Sequence, residues 1–321
     1  LSTQMRALSL ISNGYQLAQT PQRLGWLEPT DPTLPIEQLR QRYRAAGYLW
    51  LKGILNRETV LTFRRRVFEA MQVSGLLAKD SDSEEGIYAG WIEHKELAHK
   101  IFMEVHRWPE YEAFCTAPEI VRFYEAFLGG EIYLHKRKLI RYNVPGDARS
   151  TGAHYDLVYL RGGTDRLCSS WIPLGDTPVE LGGLTYLEGS DALGRKMEAE
   201  FALKNADLPP EERISAFNKN MREGWLTNNL PELAERINSR WLIADYEIGD
   251  MVIHSPYMIH AATVNYDPHG CIRLSTDIRY QLKDDDIDMR WTNHYYPEIC
   301  FSCLYTLFLF QSCLLQQWNK C

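Results

Sequence analysis

Two rhythms of hydrophobic and polar positions divide this chain. Over residues 36–46, and again over 60–71, apolar side chains recur at helical spacing. The first run is entered through Pro35. The second follows Asn56, a residue that caps helices, with Thr59 at the third helical position. Arg64, Arg65 and Arg66 read as a solvated basic face of that second helix. Between the two, GYLWLKGIL at 47–55 reads as a short buried strand leaving through Gly53. The acidic KDSDSEEG at 79–86 reads as a loop, and helical spacing returns at 94–105 and 118–127. His94, His99 and His106 are five and seven residues apart, which puts no neighbours on one helix face, so they read as structural or exposed.

From residue 131 the pattern changes to period two. Residues 131–142 (EIYLHKRKLIRY) read as a strand with His135, Arg137, Leu139 and Arg141 on one face and Lys136, Lys138, Ile140 and Tyr142 on the other. Pro145-Gly146 breaks it. Further short strands are expected over 151–160, 167–174, 183–187, 244–246, 250–254 and 272–282, separated by Gly/Pro turns. This succession predicts a mainly β protein, an antiparallel sandwich or barrel with flanking helices. Residues 190–229 interrupt it with a charged helical stretch that starts at Ser190-Asp191 and contains Pro209-Pro210. An insertion of that length in a β domain reads as a lid or specificity element. Residues 1–35 end in a Pro-rich segment at 29–35 and read as an arm laid over the domain.

Composition narrows the function class. A formal net charge of −7 leaves no basic surplus for phosphate backbones, which argues against nucleic acid. The seven cysteines form no disulfide framework, and the CxxC of Cys300 and Cys303 has no second pair, so a reducing, cytoplasmic setting is expected. Residues 1–20 lack the regions of a signal peptide, and the start at Leu1 suggests a missing or processed beginning. Residues 301–315 (FSCLYTLFLFQSCLL) are apolar and uncharged, yet shorter than the roughly 18 residues of a membrane span. They differ in character from the rest, so we expect 299–321 to be an atypical tail, the product of a faulty gene model; a packed C-terminal helix is the alternative.

The candidate chemistry starts in TGAHYDLVYL, residues 151–160. On an extended strand His154 and Asp156 point to one face, and an imidazole beside a carboxylate makes half a metal site. One further histidine completes a facial triad suited to non-haem Fe(II), with open positions on the far side. Two histidines compete for that place in DMVIHSPYMIHAAT, residues 250–263. His254 reads as a packed core histidine, which leaves His260. Thirteen residues on, Arg273 and Ser275 share a face of a predicted strand. A guanidinium with a neighbouring hydroxyl anchors the far carboxylate of a dicarboxylate co-substrate.

These motifs together resemble the phytanoyl-CoA dioxygenase (PhyH) family of Fe(II)/2-oxoglutarate oxygenases, most closely its fungal and bacterial secondary-metabolite branch. HYD at 154–156 is similar to the family's HxD. WIPLGDTPVELGGLTYLEGSD at 171–191 is similar to its W-x-x-L-x-D and G-G-L…G-S-H segment, with Asp191 in place of the usual His. GDMVIHSPYMIH at 249–260 and IRLSTDIRYQ at 272–281 resemble its metal-histidine element and anchor strand. The resemblance implies a double-stranded β-helix (jelly-roll, cupin-like) core over 36–298, with iron on His154, Asp156 and His260. It implies 2-oxoglutarate held by Arg273, with Ser275 and Thr185, and Lys138 and Arg141 as further co-substrate or substrate contacts. O2 would be the oxidant and a small secondary metabolite the substrate, through hydroxylation, desaturation or rearrangement. A carboxylate at 156 leaves no position for a halide, which disfavours a halogenase. Tyr155, Tyr159, Trp171 and Tyr257 are aromatic candidates for the pocket wall. The competing readings are a non-catalytic cupin-like binding module, an acyl-CoA hydroxylase and a metal enzyme without 2-oxoglutarate. No membrane or nucleic-acid partner is expected; a homodimer is compatible with the sequence.

Overall fold

The structure, a computed structural model, describes residues 8–210, 212–214 and 225–295, so the tail expected at 299–321 lies outside the described residues. Two sheets carry the architecture. The larger has the order β4 (Pro29–Thr30), β5 (Tyr48–Leu51), β11 (Met251–His254), β8 (Cys168–Pro173), β13 (Arg273–Leu282) and β6 (Ile132–Leu134), with β7 (Leu139–Asn143) also on β13. The smaller has the order β12 (His260–Ala262), β9 (Leu184–Leu187), β10 (Trp241–Ile243) and β3 (Leu24–Trp26). A separate short pair joins β1 (Ile11–Ser12) to β2 (Tyr15–Gln16). Most pairings are antiparallel; β3 and β4, both from the N-terminal 35 residues, join their neighbours in parallel.

Period-two alternation decides what each strand gives to each side. On β5, Tyr48 and Trp50 turn inward, where they meet Leu184, Tyr186 and Leu242 of the smaller sheet. Leu49 and Leu51 turn outward onto the helices. Tyr48 stacks on Tyr186 across the gap with ring centroids 5.2 Å apart. The outer face of the larger sheet is covered by α1 (Ile36–Ala46), α2 (Arg57–Gln72), α4 (Pro109–Cys115) and α5 (Pro118–Leu128). Beside α2 lies α3 (Lys95–Val105). The far side of the smaller sheet packs with residues of α6 (Leu157–Leu160), α7 (Ser190–Lys204) and α8 (Leu230–Arg236). Among the described residues no helix is long and apolar enough to cross a membrane.

Asn56 caps α2 by accepting from Thr59 N at 3.1 Å, as its position predicts. The basic face expected at Arg64, Arg65 and Arg66 is not one. Successive helical residues are turned about 100° from each other, so three in a row cannot share a face. Arg64 is buried and donates to the carbonyls of Glu84, Glu85 and Leu174, which ties the acidic loop to the core. Burial pushes its guanidinium down to about 10. The single strand expected over 131–142 is two strands, β6 and β7, split at residues 135–138 and both laid along the ten-residue β13.

Asp250, of the Gly-Asp pair at 249–250, has a structural duty. Its buried carboxylate accepts from Trp50 Nε1 (2.8 Å), Lys52 Nζ (2.9 Å), Gly53 N (3.0 Å) and Glu247 N (2.9 Å), locking the β5 exit to the β11 entry. Asp250→Ala strands several of these donors together. It is expected to lower the unfolding free energy by about 3 kcal/mol in urea titration, and an unchanged midpoint would refute this role.

Candidate active site

The two halves of the site meet through a backbone bridge. His154 N donates to His260 O at 3.0 Å and His260 N donates to His154 O at 2.9 Å, so the two histidines are paired residues. Ser190 and Leu187 brace the second half. Ile259 N donates to Ser190 Oγ at 2.9 Å, and Leu187 N to Ile259 O at 3.0 Å. Asp156 differs from the strand expected over 151–160. Its backbone is α-helical and it precedes the single turn α6. The chain leaves the bridge after His154 and coils, and this curl brings the carboxylate back to the histidines.

Each imidazole is oriented from behind. His154 Nδ1 lies 2.9 Å from Gly152 O, and His260 Nδ1 lies 2.9 Å from Met258 O. A carbonyl only accepts, so both Nδ1 atoms carry the proton and both Nε2 lone pairs face inward. The Asp156 carboxylate, 1% exposed, divides its two oxygens. Oδ2 accepts from Ser169 Oγ and from Arg279 Nη2 (3.1 Å), with His254 Nε2 at 3.5 Å. Oδ1 has no hydrogen-bond partner and stands 3.7 Å from His154 Nε2 and 3.6 Å from His260 Nε2. All three inward atoms lie within 4.8 Å of one another. An orphaned anionic oxygen between two inward lone pairs is a donor set for a divalent ion, and two imidazoles with one carboxylate is the set that suits non-haem iron.

The electrostatics keep these donors unprotonated. Burial pushes the Asp156 carboxyl up, but Arg279, with His254 and His260 close by, holds it well below the usual carboxylate range. Burial pushes His154 down, partly opposed by Asp156. Burial, with the neighbouring His154 and His254 rings, holds His260 well below an ordinary imidazole. His254, the other candidate for the third place, donates or accepts through Nδ1 with Tyr186 OH at 2.7 Å and stands behind Asp156.

A cavity opens onto this cluster. His154, Asp156, Tyr159, Arg137, Leu139, Arg141, Thr151, Trp225, Arg279 and Trp291 line it. Arg137, Leu139 and Arg141 share the lining; Leu139 and Arg141 alternate on β7, and Arg137 joins them from the segment that splits β6 from β7. Lys138, from the same segment, faces away. It is buried, pairs with Glu112 and sits over the Tyr111 ring, so it is removed from the co-substrate set. Thr185 is also misplaced for that role. On β9 it alternates with the inward Leu184 and Tyr186, and its hydroxyl donates to Leu242 O at 2.8 Å.

Arg273 and Ser275 lie on the face of β13 that also presents Asp277 and Arg279. Arg273 donates to Gly182 O and Asn143 Oδ1, while its Nε and Ser275 Oγ have no partner. Burial, with Arg141 nearby, pushes Arg273 down to about 10. Arg141 lines the cavity and donates through Nε to Asp277 Oδ2 at 2.7 Å.

Of the four aromatic candidates, Tyr159 lines the cavity. Trp171 packs between the sheets, Tyr257 donates to Asp165 at 2.6 Å, and Tyr155 turns its hydroxyl to Glu198 at 3.3 Å. Glu198, on α7, also accepts from Arg161 Nε at 2.8 Å, so the inserted helix engages side chains on both sides of Asp156. Asp191, where the family pattern has His, accepts from Ser255 and Arg195 and is structural.

Arg279, Trp225 and Trp291 were not singled out from the sequence. Arg279 was legible from period two along β13. Trp225 arrives because Leu226 and Thr227 hydrogen bond to Ala153, and Gly152 leaves it room. A Cβ there would meet Trp225 at 2.7 Å.

A profile of the phytanoyl-CoA dioxygenase (PhyH) family matches residues 43–270. The 1-deoxypentalenic acid 11-beta-hydroxylase of Streptomyces arenae is 26% identical over 252 residues, covering 76% of this chain and 81% of that protein. Its Streptomyces exfoliatus counterpart matches equally, at 26% over 252 residues. Among solved structures, the epimerase SnoN in complex with Fe3+, alpha ketoglutarate and nogalamycin RO covers 80% of this chain and 87% of its own. It is 19% identical, with a TM-score of 0.52. The carbocyclase SnoK of nogalamycin biosynthesis covers 81% and 89%, at 19% identity and a TM-score of 0.50. These structures share the fold: the two facing sheets are the cupin-like core of such oxygenases, in mixed sheets rather than a closed barrel.

Proposed function

The chain belongs to the phytanoyl-CoA dioxygenase (PhyH) family, and from that premise we propose that it is an Fe(II)- and 2-oxoglutarate-dependent dioxygenase that oxidises a small molecule of secondary metabolism. The observation that carries this reading is the division of Asp156. One oxygen is anchored by Ser169 and Arg279, and the other is unpaired and buried between two imidazoles whose Nδ1 atoms are already spoken for. His154, Asp156 and His260 would hold the iron. Arg273 with Ser275 would hold the far carboxylate of 2-oxoglutarate, with Arg141 between them and the cavity. The iron, with its co-substrate and O2, supplies the oxidising power for a C–H bond. The protein's own work is positioning. Gly152 O and Met258 O fix the imidazoles, Arg279 keeps Asp156 ionised and directed, and Tyr159, Trp225 and Trp291 wall the cavity against water. A cytoplasmic setting is part of the proposal and rests on the cysteine pattern.

Anaerobic titration with Fe(II) and then 2-oxoglutarate tests this. A weak visible charge-transfer band is expected when the 2-oxo acid chelates iron at an open facial site. Iron binding without the band would reject the co-substrate and favour a binding module.

A further inference from the structure

Asp156 is backed by a row of side chains that the pairing of the larger sheet sets side by side. His254 on β11 stands opposite Ser169 on β8, and Ser169 stands opposite Arg279 on β13. Residues opposite one another share a face of the sheet, so the three turn inward together. Ser169 Oγ and Arg279 Nη2 donate to Asp156 Oδ2, and His254 Nε2 lies 3.5 Å from the same oxygen. His254 is 2% exposed, and its Nε2 has no hydrogen bond. A buried ring nitrogen without a bond is costly, and the polar atom it faces is that carboxylate oxygen.

The other ring nitrogen follows from this. An ionised carboxylate only accepts, so the nitrogen facing it carries the proton. Nδ1 is then a lone pair, and Tyr186 OH, 2.7 Å away, is its donor. Tyr186 belongs to β9 of the smaller sheet and stands opposite His260 in the register of β9 with β12. The Tyr186–His254 bond thus crosses between the sheets, from the strand beside His260 to the row behind Asp156.

We propose that His254 is a positioning residue for the metal donors. Its Nε2–H is a third donor to Asp156 Oδ2, which leaves Oδ1 as the oxygen that takes the ion. Its bond to Tyr186 sets the spacing between that carboxylate and His260. An oxygen engaged by three protein donors is a poor second ligand, so Asp156 enters through one oxygen and the far side of the site stays open. This role rests on the ligand set of the proposed function and is independent of 2-oxoglutarate.

Anaerobic metal titrations of the full chain test it, with Fe(II) for affinity and with Co(II), whose visible spectrum reports ligand number and geometry. Three replacements separate a hydrogen-bond donor from a packed ring. A Gln amide reaches the place of Nε2, an Asn amide that of Nδ1, and Phe keeps a ring without either nitrogen. His254→Asn and His254→Phe are expected to weaken Fe(II) binding about tenfold and to change the Co(II) spectrum, while His254→Gln recovers most of the affinity and the wild-type spectrum. Wild-type affinity and spectrum in His254→Asn and His254→Phe would overturn the proposal and leave a packed core histidine. An equal loss in all three would overturn it too, because the shape of the ring would then be the cause. The Asn and Gln pair decides even if Phe prevents folding. Failure of the proposed function is read in the wild-type protein instead. Metal binding there without the 2-oxoglutarate band sinks the oxygenase, while the ranking of the His254 variants still decides the positioning role. A wild-type chain that binds neither ion would overturn both.

Discussion

Asp156→Ala is expected to abolish iron binding and, separately, to destabilise the protein. Both effects follow from the two oxygens having different jobs. Oδ1 is the one anionic donor between two neutral imidazoles, so its loss removes a ligand and the charge that favours a dication. We expect affinity for Fe(II) to fall at least about 100-fold, more than loss of an outer partner would cost. Oδ2 is the counter-charge of Arg279, and alanine leaves that guanidinium buried without one. Breaking a buried pair from one side costs about 3–5 kcal/mol. The double variant Asp156→Ala/Arg279→Met separates the effects. With both charges gone, stability in urea is expected to recover much of the loss, while iron still fails to bind. Wild-type iron affinity in Asp156→Ala would remove the residue from the ligand set. An equal loss of stability in single and double variants would mean the cost comes from Ser169 and the fold of α6.

How much of this was legible in the chain depended on whether a signal was local. The Asn56 cap, the helix over 36–46 and the strand alternation on β5 are set by residues within a few positions of each other. The candidate metal trio was legible because the order and spacing of His154, Asp156 and His260 resemble the PhyH pattern, and the structure brings the three together. What failed was inference that needed the third dimension. His154 and Asp156 do converge, but through a bridge followed by a helical turn, not by strand alternation. Lys138 and Thr185 carry suitable chemistry, yet the break between β6 and β7 turns Lys138 to Glu112 and pleat parity turns Thr185 to Leu242. Arg64 looked solvated because basic residues usually are, and nothing local says that three loop carbonyls wait for it. Trp225 and Trp291 reach the cavity from the end of the insertion and from the segment after β13, and no periodicity announces that arrival.

Arg273→Gln is expected to weaken 2-oxoglutarate binding while leaving iron bound, and it is the sharpest test of how the co-substrate is held. The guanidinium sits at the start of β13 on the same face as Ser275, and both have a polar atom without a partner, Arg273 Nε and Ser275 Oγ. Two unpaired donors side by side on a buried face are what an incoming carboxylate would satisfy. Against this, the Arg273 terminal nitrogens are engaged by Gly182 O and Asn143 Oδ1, and Arg141 stands nearer the cavity. The two arginines therefore make different predictions. If Arg273 is the anchor, Arg273→Gln raises the 2-oxoglutarate Kd, read from the charge-transfer band, by about 10- to 100-fold. Arg273→Lys is expected to recover part of this, and Arg141→Gln to have the smaller effect. Some loss of stability is expected with Arg273→Gln as well, because Gly182 O and Asn143 Oδ1 lose their donor, so the Kd is compared among folded variants. The reverse order, with Arg141→Gln crippling and Arg273→Gln silent, would move the anchor to β7. Arg273 would then be a structural clamp that fastens the β13 start to Gly182 and β7.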